Sequence, residues 1–394
     1  MTTTPVRLER RVSEVPAATA AADVVAFRRD ALGPLLRRSA AARSGDVAAS
    51  LARSRPGLDD LAVLLSPAAA GDLEALAAAA HRRTVARFGR VVRLFAPLYL
   101  SNECVSTCTY CGFSAGNDVA RRTLTPVQAR DEARALTARG LRQVLLVAGE
   151  HARIISPRYL AECLRVLAPE VPSLAVEVQV WDTGEYRDLV AAGCEGLVAY
   201  QETYHPGTYG SAHLRGRKRN AAWRLGAPDR AAEAGMRRLG IGALLGLHDD
   251  WRYDVLVLAA HARALVRRWW RCEVTVAVPR LRPAAGGFEP ARPVEDRELA
   301  QIVCALRLAL PDVGITLSTR EPPRLRDGLV ALGITHMSAG SSTEPGGYLA
   351  PGSAEPQFAV SDERSPAEVA AAVAQAGYDP VWMDTIGPRC LGTG

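Results

Sequence analysis

Cys104, Cys108 and Cys111 stand in the run Ser101-Asn-Glu-Cys-Val-Ser-Thr-Cys-Thr-Tyr-Cys-Gly-Phe-Ser114, a C-x3-C-x2-C spacing with Tyr110 just before the last thiol. A four-iron cluster, [4Fe–4S], usually takes four thiolates. Three cysteines in one polar loop would hold three irons and leave the fourth open to a ligand, as the open position of a catalytic metal is. Two plainer readings compete. Structural zinc reaches four ligands by pairing two C-x2-C knuckles, or Cys with His. The nearest fourth candidate, His151, stands far downstream. Inert buried cysteines rarely share one polar loop at this spacing.

Other polar residues sit at the ends of apolar runs. Gly149-Glu150 follows one such run; glycine admits a ligand to the backbone, and the carboxylate can accept hydrogen bonds from an ammonium group. The plainer alternative is a turn with a solvated glutamate. Arg320 ends an apolar run, where a guanidinium needs a partner and matches a carboxylate bidentately. An ion pair with Glu321 is the alternative, and Arg280 and Arg282 pose the same choice. Glu202 and Tyr204 could orient a ligand or pass a proton, and plain packing serves Tyr204 equally well. Asp249 and Asp250 are read as caps of a helix from Trp251 rather than metal ligands. Gly240-Ile-Gly242 lies at the start of a strand, so a dinucleotide fingerprint is rejected.

These residues need a frame. Apolar runs at Val91–Leu100, Gln143–Ala148, Leu174–Val180, Gly196–Tyr200, Ile241–Leu245, Glu273–Val278, Ile315–Ser318 and Thr335–Met337 read as strands. Helical patterns follow the first seven, at about 125–139, 157–168, 183–192, 228–238, 252–270, 294–309 and 323–331. Strands alternating with helices pair in parallel through right-handed crossovers. The count predicts an α/β fold, a (β/α)8 TIM-type barrel, with a doubly wound open sheet as the alternative. The expected divisions are a mobile 1–25, helices over 26–86, the barrel over 87–345 and a C-terminal extension, with a helix at Pro366–Ala376, over 346–394. In a barrel the groups after the strands converge at the C-terminal mouth. The cysteine loop, Glu150, Glu202, His248, Arg280, Arg320 and Ser338–Ser341 all fall there.

Composition sets outer bounds. The 394 residues are 48% hydrophobic and 23% charged. That is enough for a barrel-sized core and an extension. The net charge of +6 suits anionic ligands. The Arg215–Arg219 patch lacks interleaved aromatics, reads as a solvated loop and gives no nucleic-acid site. No run approaches the roughly 18 apolar residues of a membrane helix. The eight cysteines at irregular spacing are not a disulfide framework. Cys163, Cys194, Cys272 and Cys304 read as core. No signal or transit segment is evident, so the cytoplasm is expected.

The three-cysteine spacing resembles the radical S-adenosylmethionine (SAM) superfamily, in which SAM chelates the open iron. A more specific set is Pro97-Leu-Tyr-Leu-Ser-Asn102, Thr109-Tyr-Cys-Gly-Phe-Ser114, Gln201-Glu-Thr-Tyr204, Pro228-Asp-Arg-Ala231, Gly242-Ala-Leu-Leu-Gly246, Pro279-Arg-Leu-Arg-Pro283, Leu317-Ser-Thr-Arg-Glu321 and Pro345-Gly-Gly-Tyr348. Together these resemble the 2-iminoacetate synthase family, the radical SAM tyrosine lyases of thiamin thiazole biosynthesis, over about residues 60–385. The resemblance implies cleavage of the Cα–Cβ bond of L-tyrosine to 2-iminoacetate (dehydroglycine) and 4-cresol, with 5′-deoxyadenosine and methionine from SAM. It implies a [4Fe–4S] cluster on Cys104, Cys108 and Cys111. The cofactor would lie against Tyr110, Gly149, Glu150, Glu202, Arg280 and Arg282. Arg320, with Ser318 and Ser341, would bind the substrate, and Arg320, Glu202 and Tyr204 form the expected catalytic set. A thiazole synthase partner and a flavodoxin- or ferredoxin-type reductant follow from the same resemblance. Cys390 stands alone, which excludes a second C-terminal cluster. Two alternatives are a radical SAM tryptophan lyase making an indolic acid and a non-catalytic scaffold for thiazole synthase.

Overall fold

The structure, a computed structural model, describes residues 18–290 and 292–383. Eight parallel strands form its centre: β1 Val91–Ser101, β2 Gln143–Ala148, β3 Ser173–Glu177, β4 Gly196–Val198, β5 Arg238–Gly242, β6 Glu273–Ala277, β7 Gly314–Leu317 and β8 His336–Ser338. They pair in sequence order, and β1 pairs with both β2 and β8. The sheet therefore closes. The expected (β/α)8 barrel is borne out, and the open doubly wound sheet is not formed. A ninth strand, β9 Asp379–Val381, runs parallel to the foot of β1.

The crossover helices start where side chains satisfy their free N–H groups. Thr125, Ser156 and Asp182 cap the helices Pro126–Ala138, Pro157–Leu167 and Thr183–Ala191. Asp250 caps Trp251–Arg268 by accepting from Arg252 N at 3.1 Å, so the cap reading holds for Asp250, whereas Asp249 accepts from Asp250 N at 3.0 Å and caps nothing. Period-two alternation sorts each strand. On β3, Leu174 and Val176 join the core between sheet and helices, while Ala175 and Glu177 line the barrel interior.

Strand β5 departs from expectation. The apolar run suggested Ile241–Leu245, yet pairing covers Arg238–Gly242. Glycines inside the strand hid it. A Cβ on Gly240 would lie 2.9 Å from Val198 Cγ2, and one on Gly242 2.7 Å from the Tyr200 ring. The barrel interior has no room for side chains there.

The N-terminal region differs too. A helix at Ala20–Asp30 begins inside the segment expected to be mobile. Thr19 caps it, and the Asp229 carboxylate accepts from both Ala20 N and Ala21 N at 3.1 Å. That docking partner lies over two hundred residues away, so no local signal announced it. Further helices over Leu32–Phe88 lead into β1. Of the remaining cysteines, Cys163, Cys194 and Cys304 are buried as expected, whereas Cys272 is only partly so. Cys390 lies outside the described residues. Among the described residues no helix is long and apolar enough to cross a membrane.

Candidate active site in the barrel mouth

The cysteine loop leaves β1 and is folded by one arginine. Arg121 donates to the carbonyls of Asn102, Phe113, Ser114 and Asn117 at 2.7–3.1 Å. Its rigid fork of donors thereby gathers both ends of the loop around one guanidinium. Glycine lets the next strand approach. A Cβ on Gly149 would meet the Glu103 carbonyl at 2.3 Å and Cys104 Cβ at 3.1 Å. Gly149 is thus required by the cysteine loop itself, not only by a ligand. Gly216, at φ +90°, lets a second loop lie on the first; a Cβ there would be 2.3 Å from Ser106 Oγ.

That second loop carries Lys218 inward. Lys218 Nζ donates to Glu202 Oε1 at 2.7 Å, and both are largely buried. The solvated-loop reading of Arg215–Arg219 is therefore corrected at Lys218: the residue is held by a carboxylate in the cavity wall. Burial pushes the Glu202 carboxyl up, but Lys218 and then Arg224 outweigh it and leave it below the ordinary carboxylate range. Glu202 itself sits at φ 70°, a strained setting for a residue with a side chain. Beside this pair, Glu150 accepts from Arg224 Nη1 at 3.0 Å and from Ser106 Oγ at 3.1 Å. Two buried ion pairs thus flank the thiols. Tyr110 donates to His213 Nε2 at 2.9 Å, and His213 Nδ1 faces the Tyr209 carbonyl at 2.8 Å. The carbonyl can only accept, so Nδ1 carries the ring proton and Nε2 is left as the acceptor.

Of these groups, Tyr110, Glu202 and Lys218 open on a cavity with about 1200 Å³ of empty space, part of it open to solvent. Tyr110, Cys111, Glu202 and Lys218 line one side; Ser318, Arg320, Ser341 and Phe358 line another. Arg320 lays its guanidinium on the Phe358 ring, with Cζ 3.3 Å from the centroid, a cation–π contact. Among the described residues no carboxylate pairs with Arg320. Ser341 Oγ is buried without a hydrogen-bond partner, and Ser318 Oγ receives the Arg320 backbone N–H at 3.4 Å. An unpaired guanidinium and an orphaned hydroxyl beside empty space are groups awaiting a ligand.

Three expected site residues lie elsewhere. Tyr204 is buried in the core, donating to His261 Nδ1 at 2.9 Å, because the chain turns outward after Glu202. Arg280 lines a separate cleft, where it pairs with Asp296 at 2.8 Å, and it also pairs with Glu321 at the cavity's edge. Glu321, the partner weighed for Arg320, is thereby taken. Arg282 donates to the Arg320 carbonyl and so supports the backbone that presents Arg320. Sequence reasoning missed Lys218, Arg224, Glu177, Gln357 and Phe358. Gln357 and Phe358 come from the extension beyond 345: Gly112 N donates to Gln357 O at 3.1 Å, and Ser361 N to Thr319 O at 2.9 Å. The extension is a wall of the site rather than an appendage.

The cysteine loop also fits a cluster by its chemistry. All three thiols are free. Cys104 and Cys111 pack against Tyr99, Phe113 and Val147, an apolar lining that limits water. Burial pushes the Cys104 thiol up to about 11, and raises Cys108 and Cys111 as well. Bound cations would remove that penalty. Among the described residues no three His, Cys, Asp or Glu side chains are disposed to hold a single metal ion.

Comparison with known proteins gives a family match and several likenesses. The Biotin and Thiamin Synthesis associated domain matches residues 277–379. The 2-iminoacetate synthase of Escherichia coli (strain K12) is 44% identical over 341 residues, covering 86% of this chain and 90% of the relative. The 2-iminoacetate synthase of Salmonella typhimurium is 42% identical over the same shares of the two chains. The crystal structure of HydG, a maturase of the [FeFe]-hydrogenase, matches with a TM-score of 0.87 at 30% identity, over 92% of this chain and 81% of that one.

Proposed function

The chain belongs to the 2-iminoacetate synthase family of radical SAM tyrosine lyases, and we propose that its barrel mouth cleaves the Cα–Cβ bond of L-tyrosine with the residues gathered there. The products are 2-iminoacetate and 4-cresol, the former supplying thiamin thiazole biosynthesis. When bound, a [4Fe–4S] cluster and SAM supply the 5′-deoxyadenosyl radical that takes a hydrogen atom from the substrate.

Cys104, Cys108 and Cys111 hold the cluster. Tyr110 and Glu202, which line the cavity with Cys111, bind SAM together with Gly149 and Glu150, which pack against the cysteine loop. Glu150 and Glu202 already carry Arg224 and Lys218. Their carboxylates are thus fixed before the cofactor arrives and cost little to order. Arg320 takes the tyrosine carboxylate by its planar fork, with Phe358 behind it. Ser318 and Ser341 add hydroxyls on the same side. Holding the carboxylate decides which hydrogen faces the radical. The segment Pro206–Leu225, whose Lys218 is buried against Glu202, closes the mouth and keeps water out.

The observation that carries this reading is Arg320. It is a guanidinium without a carboxylate partner, in the wall of a cavity that Cys111 also lines. The water-sensitive imine is handed to a thiazole synthase, and a flavodoxin- or ferredoxin-type protein supplies the electron. The test is anaerobic turnover of iron-loaded protein with SAM and a strong reductant, with tyrosine or tryptophan in separate reactions. 4-Cresol and 5′-deoxyadenosine from tyrosine support the lyase. An indolic acid from tryptophan would make the chain a tryptophan lyase. Neither product, with a full cluster, would favour a scaffold.

A further inference from the structure

Glu177 is the last residue of β3 and points into the barrel, opposite Val147 in the β2 register. Its carboxyl lines the cavity, yet it makes no hydrogen bond or ion pair among the described residues. The other acids that line the cavity are held by cations: Glu202 by Lys218 and Glu321 by Arg280. Burial, with Glu202 nearby, pushes the Glu177 carboxyl up to about 7, against the pull of Lys218, Arg320 and Arg224. Tyr99 and Tyr200 also feel its charge. A desolvated acid without a partner in an empty cavity is costly, and a ligand donor offsets that cost.

The barrel says which donor. In the closed strand order β3 and β7 are four steps apart in either direction, so Glu177 and Arg320 stand on opposite walls. An eight-stranded barrel is only just wide enough inside for side chains. A tyrosine whose carboxylate is held on the β7 side therefore directs its ring toward β3. Its amino group stays near Arg320, and its phenol is the donor that reaches the far wall.

We propose that Glu177 is a specificity-determining residue that accepts the phenolic hydrogen bond of the substrate and so selects L-tyrosine over L-phenylalanine. This rests on the tyrosine-lyase reading above. A site built to hydrogen-bond a hydroxyl rejects the analogue lacking it, because the polar group is left buried and alone.

The test is calorimetric binding of L-tyrosine and L-phenylalanine to anaerobic holoenzyme with SAM and no reductant, for wild type, E177Q and E177A. Cresol formation by the wild type is measured alongside. The wild type is expected to prefer tyrosine by about 100-fold or more. The preference falls about tenfold in E177Q, which keeps a neutral acceptor, and to a few-fold in E177A, while phenylalanine affinity is unchanged. Variants with wild-type iron content that keep the wild-type preference would overturn the assignment of Glu177 alone. A wild type that forms no cresol would overturn the lyase reading and this inference with it.

Discussion

The Arg320 guanidinium rests on the Phe358 ring at 3.3 Å, joining the end of β7 to the C-terminal extension across the substrate side of the cavity. The ring fixes the plane of the guanidinium, and Arg282 holds the Arg320 carbonyl from below. The arginine is preorganised for a planar, two-oxygen partner.

Arg320→Ala should therefore lower kcat/KM for tyrosine by about 100-fold or more, while iron content stays at the wild-type level. Arg320→Lys should recover little, because an ammonium lacks the planar fork. Phe358→Leu should raise KM more than it lowers kcat. Steady-state kinetics with iron analysis check all three, and unchanged turnover in Arg320→Ala would remove it from the site.

Cys108→Ala should abolish cluster assembly, because two thiolates cannot replace three. Cys163→Ala, at a buried position of the helix Pro157–Leu167 outside the cysteine loop, should bind the full complement of iron. Iron and sulfide counts with the visible absorption spectrum decide it. A full cluster in Cys108→Ala would sink the ligand assignment.

Gly149→Ala should damage the cluster without touching a ligand. Its Cβ would lie 2.3 Å from a backbone carbonyl of the cysteine loop, which cannot swing aside as a flexible side chain does. The loop must shift, and lower iron occupancy together with a lower Tm is expected. At Gly45 a Cβ meets nothing within 4 Å. Gly45→Ala therefore serves as the control and should match or slightly exceed the wild-type Tm.

Asp254 gives stability a pH dependence. Burial pushes its carboxyl up to about 7, with Asp250 adding to the rise, although Tyr204 N and Thr203 Oγ1 donate to it and pull it down. The folded value is raised above the ordinary 3.8, so the folded state binds the proton more tightly than the unfolded state does. This contribution is fully present below about pH 4 and is lost as pH rises through about 7. Asp254→Asn keeps an acceptor but no charge. Relative to the wild type, it should gain stability between about pH 5 and 8, by on the order of 2–3 kcal/mol. Denaturant unfolding at both pH values measures this, and a pH-independent difference would contradict it.

What could be read in the chain was local. The cysteine spacing and the strand-end position of Arg320 depend on neighbours in sequence, and both mark the mouth of the barrel. The alternation of strand and helix gave the barrel, and its closure placed those residues together. What escaped reading depends on distant contacts. Lys218 looked like one charge of a solvated patch until Gly216 let its loop fold onto the cysteines. Glu177 falls unremarked inside the apolar run Leu174–Val180, and only the pleat and the closed sheet turn it inward. Tyr204 was misplaced because the positive φ at Glu202 redirects the chain, which no residue type announces. Arg280 was misassigned because the choice between ligand and ion pair turned on Asp296, brought near by the turn before its helix.

The most direct measurement uses L-tyrosine carrying carbon-13 at Cα, incubated anaerobically with iron-loaded enzyme, SAM and a strong reductant. Cleavage of the Cα–Cβ bond predicts unlabelled 4-cresol, one 5′-deoxyadenosine per cresol, and all the label in 2-iminoacetate or the glyoxylate it gives in water. An aromatic product that retains the label would contradict the lyase assignment.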